Sequence, residues 1–333
     1  MTKAPPPKLD FPPFRQRFPW IGGDLQTAGD FLFLPMAQIP SKRTERMRFP
    51  MEDGTGDILL GALDHPEGPA ADRPLVVILH GLTGSEDSRY VRRTAARLIA
   101  DGYPVLRLNL RGAGPSMGQC REQYHSGRTR DVRAVLDQLL ASGPFTRFVL
   151  VGYSLGANIL LKGIAEFGTA LSIVAGCSIS APIDLAEAAR RFTATRNTLY
   201  QHWLLKRMKL EFSQLPDDAV ADAMRAAVRR ARTVVDFDNA MTAPRNGYAD
   251  AWDYYQANSA IHFLGAIRVP TLLIHGLDDP WIPGQTYRDF DWASNPYLTA
   301  LLPPRGGHVG FHQTSGGSWA DRCLELFLAR VVR

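Results

Sequence analysis

The chain has little cysteine: Cys120, Cys177 and Cys323 are the three in 333 residues. The number is odd, they lie far apart and no C-x-x-C pair occurs. That excludes a disulfide framework or a structural zinc site of the usual spacing and suits a reducing compartment. Cys177 sits in an apolar run and reads as a small core residue. Long hydrophobic runs are missing too. No stretch reaches the ~18 apolar residues that span a bilayer, and the longest candidate, 173–183, carries serines. The opening residues, Met1-Thr2-Lys3-Ala4-Pro5-Pro6-Pro7-Lys8, have no apolar segment behind them, so no secretory leader is expected. A soluble, cytoplasmic protein is the expectation. The excess of one charge sign is small: 38 Lys and Arg against 33 Asp and Glu leave +5, with a pI near 9.2. The arginines are scattered and no nucleic-acid-binding module accompanies them. No histidines stand at H-E-x-x-H spacing, so no metal is expected.

What is present is an ordinary globular composition, 45% hydrophobic and 21% charged. The length allows one large domain with an insertion, or two domains. Residues 1–45 are rich in proline and aromatics. They predict an extended arm whose aromatic side chains pack on the body. Residues 47–63 read as antiparallel strands. Leu75-Val76-Val77-Ile78-Leu79 is an unbroken apolar run, as a parallel strand buried on both faces requires. Strand-like and helix-like segments then alternate. Strands are expected at 105–108, 148–151, 173–177, 271–274 and 298–302, with helices at 91–100, 131–140, from Leu155, and 319–332. The pattern predicts an α/β fold with a mostly parallel, doubly wound sheet. It breaks at 182–262, a helix-like stretch read as a helical cap inserted into a core made of 46–181 and 263–333.

Gly152-Tyr153-Ser154-Leu155-Gly156 stands between the run Phe148–Val151 and a helix-like stretch. Strand, sharp G-x-S-x-G turn and helix together form a nucleophile elbow. The turn lifts the Ser154 hydroxyl clear of the sheet, and a side chain at either flanking glycine would meet neighbouring backbone. A serine hydroxyl needs a base, and the base needs an orienting acid. Asp278-Asp279-Pro280 and Gly306-Gly307-His308 follow two later strands, in the order Ser, Asp, His and on the same sheet edge. Asp279, before Pro280, is the chosen acid, with Asp278 and Asp184 as alternatives. His308, preceded by two glycines, is the chosen base, with His312 as the alternative. Backbone amides of Leu155 and Leu82 are the expected oxyanion donors, the latter in the turn His80-Gly81-Leu82-Thr83-Gly84-Ser85. His80 is read as orienting that turn. Arg111-Gly112-Ala113-Gly114 is not a dinucleotide loop, because Pro115 follows and no helix opens there. No cofactor is expected.

The chain resembles the YheT-like branch of the α/β-hydrolases. The resemblance lies in Gly22–Thr27, His80–Ser85, Asn109–Gly112, Tyr124–Gly127, Gly152–Asn158, Ala181–Leu185, Asp253–Tyr255, Asp278–Pro280 and Gly307–Phe311. It implies an α/β-hydrolase fold, a Ser154–Asp279–His308 triad and hydrolysis of carboxylic esters. His125 lies six residues before Asp131, so an H-x-x-x-x-D acyltransferase box is absent. Acyl transfer and thioester cleavage use the same triad and compete with hydrolysis. A ligand-binding protein that kept the fold is a third reading. The expected partner is a small or lipid-like acyl ester. Residues 202–210 mix large apolar side chains with Lys206, Arg207 and Lys209. Either they pack as a cap helix with cations in water, or Trp203 and its neighbours touch a lipid surface.

Overall fold

A computed structural model describes residues 10–29, 31, 35–41, 43–67 and 72–332. Eight strands form one sheet: β1 (Arg43–Pro50), β2 (Ile58–His65), β3 (Leu75–Leu79), β4 (Val105–Leu108), β5 (Phe148–Tyr153), β6 (Ile173–Ile179), β7 (Thr271–Ile274) and β8 (Leu298–Leu301). Their order is β1-β2-β4-β3-β5-β6-β7-β8. The β1–β2 and β2–β4 pairs are antiparallel, and every later pair is parallel. The helices are α1 (Gly23–Ala28), α2 (Arg89–Ala100), α3 (Thr129–Ser142), α4 (Leu155–Phe167), α5 (Leu185–Thr193), α6 (Thr198–Ser213), α7 (Asp222–Arg230), α8 (Val234–Phe237), α9 (Ala243–Arg245), α10 (Ala251–Asn258), α11 (Gly284–Asp289) and α12 (Trp319–Val331).

The central strands are apolar throughout because both faces are covered. Alternate residues of β3 go to opposite cores: Leu75, Val77 and Leu79 join one with the α3 and α4 side chains, Val76 and Ile78 the other with α2 and α12. β5 divides the same way, Phe148 and Leu150 against Val149, Val151 and Tyr153. Strand β4 lies on one side of β3 and β5 on the other, so the winding reverses here. The turns after β3 and β5 therefore open side by side at the carboxyl edge, where crevices form in such sheets.

Two features of the first 50 residues differ from the sequence expectation. The arm contains the short helix α1, because no proline falls between Pro19 and Pro35. Strand β1 begins at Arg43, inside the expected arm. It is an edge strand whose first four residues, Arg43 to Arg46, are polar and mostly exposed, so only its second half, from 47, was read as strand. Residues 1–9 of the arm lie outside the described residues. Phe14 meets Phe311 and Trp319 at ring distances of 5.9 and 5.6 Å, and Trp20 meets His312 at 5.4 Å. Between β6 and β7 the chain forms α5 to α10. Helix α6 buries Leu204, Leu205, Met208 and Phe212. Among the described residues no helix is long and apolar enough to cross a membrane.

Candidate active site

Ser154 ends β5 and caps α4 with φ 52° and ψ −120°, a conformation that costs a non-glycine residue ~1–3 kcal/mol. The surroundings enforce it. A Cβ on Gly152 would stand 2.6 Å from the Gly156 carbonyl oxygen, and one on Gly156 would stand 2.3 Å from that of His80. Main chain on all sides leaves room for glycine alone.

The Ser154 Oγ lies 2.9 Å from His308 Nε2, and His308 Nδ1 lies 2.8 Å from Asp279 Oδ2. A carboxylate only accepts, so Nδ1 carries the proton and Nε2 is left to accept from the serine. Asp279 is almost wholly buried. Burial pushes its carboxyl up, but the charge and hydrogen bond of His308 outweigh this and leave it below the usual value. Its other oxygen accepts from the amides of Trp281 and Ile282 at 2.8 and 3.0 Å. The Trp281 ring covers the His308 imidazole at 4.4 Å.

The alternatives lie elsewhere. Asp278 accepts from the Gly307 amide at 2.9 Å and so holds the histidine loop. Asp184 caps α5 through the Glu187 amide at 2.9 Å. His312 is buried against Trp20, its amide bonded to Gln26. His80 Nε2 accepts from the Leu110 amide at 3.1 Å, so its Nδ1 proton goes to the Gly81 carbonyl at 2.7 Å. Burial pushes its pKa down to about 4. The Arg111 turn is structural: the guanidinium meets Asp53, Asp57 and Asp131, each at 2.8 Å, and Gly112 has φ 69°.

Leu82 and Leu155 border the same cavity as Ser154 and His308. Neither backbone N–H meets an acceptor among the described residues. The neighbouring loop amides are engaged: Gly81 with Tyr90 Oη at 3.0 Å and Thr83 with Tyr124 Oη at 2.7 Å. The cavity holds about 150 Å³. Its walls are largely apolar, with Phe192, Leu204, Met208, Phe237 and Met241 supplied by the segment between β6 and β7. Two acids also face it. Burial raises Glu211 to about 7 and Asp238 to about 6, against the hydrogen bonds each accepts. Among the described residues no cluster of three or more His, Cys, Asp or Glu is placed to hold a metal ion.

Residues 74–314 match the family model described as the alpha/beta hydrolase fold. The chain belongs to the α/β-hydrolase family. This hydrolase is 32% identical to the monoacylglycerol lipase of Saccharomyces cerevisiae over 77% of its own length, and the match spans 59% of that relative. It is 31% identical to YheT of Escherichia coli, named there as a candidate esterase, over 77% of its own length and 76% of the relative's. An esterase structure from Pyrococcus furiosus superposes with a TM-score of 0.59 at 20% identity, covering 90% of this chain and 98% of the other. That likeness is one of fold.

Several residues around the site carried no role at it in the sequence reading. Thr27 and Gln26 of α1 bond the histidine loop, and Tyr124, Arg207 and Glu211 surround the Leu82 turn. The segments Gly22–Thr27 and Tyr124–Gly127 stood out by resemblance. No spacing rule tied them to the chemistry, because their partners are remote in sequence.

Proposed function

We propose that this α/β-hydrolase cleaves carboxylic esters through an acyl intermediate on Ser154. His308 Nε2 takes the hydroxyl proton as Oγ attacks the carbonyl carbon. The resulting oxyanion accepts from the Leu82 and Leu155 amides, which meet no acceptor among the described residues. Asp279 holds the imidazole tautomer and stabilises the imidazolium. His308 then gives its proton to the departing alcohol oxygen. A water repeats the sequence, releasing the acid and restoring Ser154. The observation that carries this reading is the unbroken line Ser154–His308–Asp279, at 2.9 and 2.8 Å, opening on an apolar cavity. The lipase and candidate-esterase names of the relatives support the same chemistry.

In this reading residues 182–262 are a cap that walls the acyl pocket, and small or medium acyl esters are the substrates. A lipid surface would have to be met by Leu199 and Leu210, which are 85% and 63% exposed. Trp203 packs against Phe31 at 5.6 Å, Arg207 bonds Thr83, and Lys209 bonds two main-chain carbonyls. A cytoplasmic setting goes with the three free, buried thiols.

The test is labelling with a fluorophosphonate probe, with mass mapping of the adduct, alongside a p-nitrophenyl ester series. The adduct is expected on Ser154. Ser154→Ala should lose label and about 10⁴-fold or more in turnover. Substantial hydrolysis by the purified variant would place the nucleophile elsewhere.

A further inference from the structure

The turn carrying the Leu82 amide is held by the insertion. Thr83, the next residue, has φ 57°, a left-handed conformation unfavourable for a β-branched residue. Three of its groups are tied down. Its N–H donates to Tyr124 Oη at 2.7 Å. Its hydroxyl oxygen accepts from Arg207 Nε at 3.1 Å, and its carbonyl from Arg207 Nη2 at 2.8 Å. Tyr124 in turn donates to Glu211 Oε2 at 3.1 Å. Arg207 and Glu211 stand four residues apart on α6, hence on one face. A single face of the insertion thus clamps Thr83 through both its amide side and its carbonyl side. Burial favours the neutral form of Glu211, and Arg207 opposes that less strongly. Thr83 and Tyr124 are buried, while Arg207 reaches Thr83 from an exposed position on α6.

We propose that Arg207, and Glu211 acting through Tyr124, are positioning residues that hold the Leu82 amide where the oxyanion forms. This rests on the ester-hydrolysis reading of Ser154. It makes the insertion a support for transition-state binding as well as a wall of the acyl pocket. The physical reason is that an oxyanion donor works only when aimed in advance, and displacing one costs typically 10²–10³-fold in kcat. Arg207 can make both bonds because its guanidinium is a planar fork, which a lysine ammonium cannot reproduce.

The experiment measures kcat and KM for p-nitrophenyl acetate and the affinity of butaneboronic acid, whose tetrahedral adduct places an oxygen at the oxyanion position. Arg207→Ala should lower kcat about 10- to 100-fold with KM within about twofold, and should weaken the boronate in proportion. Arg207→Lys should recover only part of the loss. Glu211→Gln, which keeps an acceptor oxygen, should stay near wild type, while Glu211→Ala should lose kcat. Tyr124→Phe preserves shape and removes the hydroxyl. It should lose kcat as Arg207→Ala does, and it keeps the question open to test if Arg207→Ala does not fold. An Arg207→Ala enzyme with unchanged kcat and boronate affinity overturns the proposal, as does a loss confined to KM. Wild-type protein inert to esters and unlabelled at Ser154 overturns the parent reading instead.

Discussion

The main-chain amide of His308 donates to Thr27 Oγ1 at 2.8 Å. The same hydroxyl donates to the Gly23 carbonyl at 2.7 Å. Thr27 is completely buried, so helix α1 of the arm fixes the backbone of the candidate base across most of the chain. Thr27→Val keeps the shape and removes the acceptor. Loss of a buried hydrogen bond costs ~1–3 kcal/mol, and a displaced imidazole should reduce kcat about tenfold or more. Thr27→Ser should behave as wild type. Equal ester turnover in the valine and serine variants would deny the arm a part in holding His308.

The adjacent carboxylates should separate cleanly on mutation. Asp279 meets the imidazole, and Asp278 meets the Gly307 amide. Asp279→Asn should lower kcat by about 10⁴-fold, since an amide presents the wrong partner to Nδ1–H. Asp278→Asn keeps an acceptor oxygen for Gly307, so its loss should be much smaller. The reverse ranking in steady-state assays would reassign the acid.

Gly156→Ala is expected to unfold or strongly destabilise the protein. The added methyl would lie 2.3 Å from the His80 carbonyl oxygen and 2.6 Å from that of Leu79. Backbone atoms of a central strand cannot retreat as a side chain can. Gly118→Ala, with nothing within 4 Å of the new atom, is the control. Thermal melts of the two variants side by side check this. A Gly156→Ala melt as high as the control's would contradict the packing argument.

Acid should destabilise the fold through buried histidines. Burial lowers His80 and His275 to about 4 and His125 and His312 to about 3, against an ordinary 6.5. The unfolded chain thus binds more protons than the native state below pH 6.5. Their contribution is complete above that pH and drains away as the pH falls toward 4, by up to ~1.4 kcal/mol per pH unit for each group. The His275 ring stacks on Tyr287 at 4.0 Å, and its two nitrogens meet no hydrogen-bond partner among the described residues. His275→Phe should therefore show a shallower fall in Tm between pH 7 and 5 than wild type. Parallel curves would exclude His275 from the effect.

Vesicle co-sedimentation should leave the wild type in the supernatant with neutral and with anionic liposomes at moderate salt. The reason is that Trp203 packs against Phe31, and Arg207 and Lys209 are committed to carbonyls inside the protein. Pelleting that disappears in a Leu199→Ser, Leu210→Ser double variant would establish a lipid-docking face on α6.

Much of the sheet was legible because parallel strands covered on both faces need unbroken apolar runs. Strands 75–79, 105–108 and 271–274 were read at their observed bounds. Edge strand β1, with its exposed charges, had no such requirement, and only its second half, from 47, was read as strand.

The sequence alone determined the α/β class and offered Ser154, His308 and an acid of the Asp278-Asp279 pair as candidates. Steric demand at a strained turn forces glycine at 152 and 156, and that local requirement is written into five consecutive residues. Only the tertiary structure decided that Asp279 rather than Asp278 faces the imidazole, because two neighbours on one loop differ only in direction. It alone also tied Thr27 to His308 and Arg207 to Thr83. Those contacts join segments 281 and 124 positions apart. Their geometry depends on how helix and loop pack on the finished sheet, which no local pattern of residues encodes.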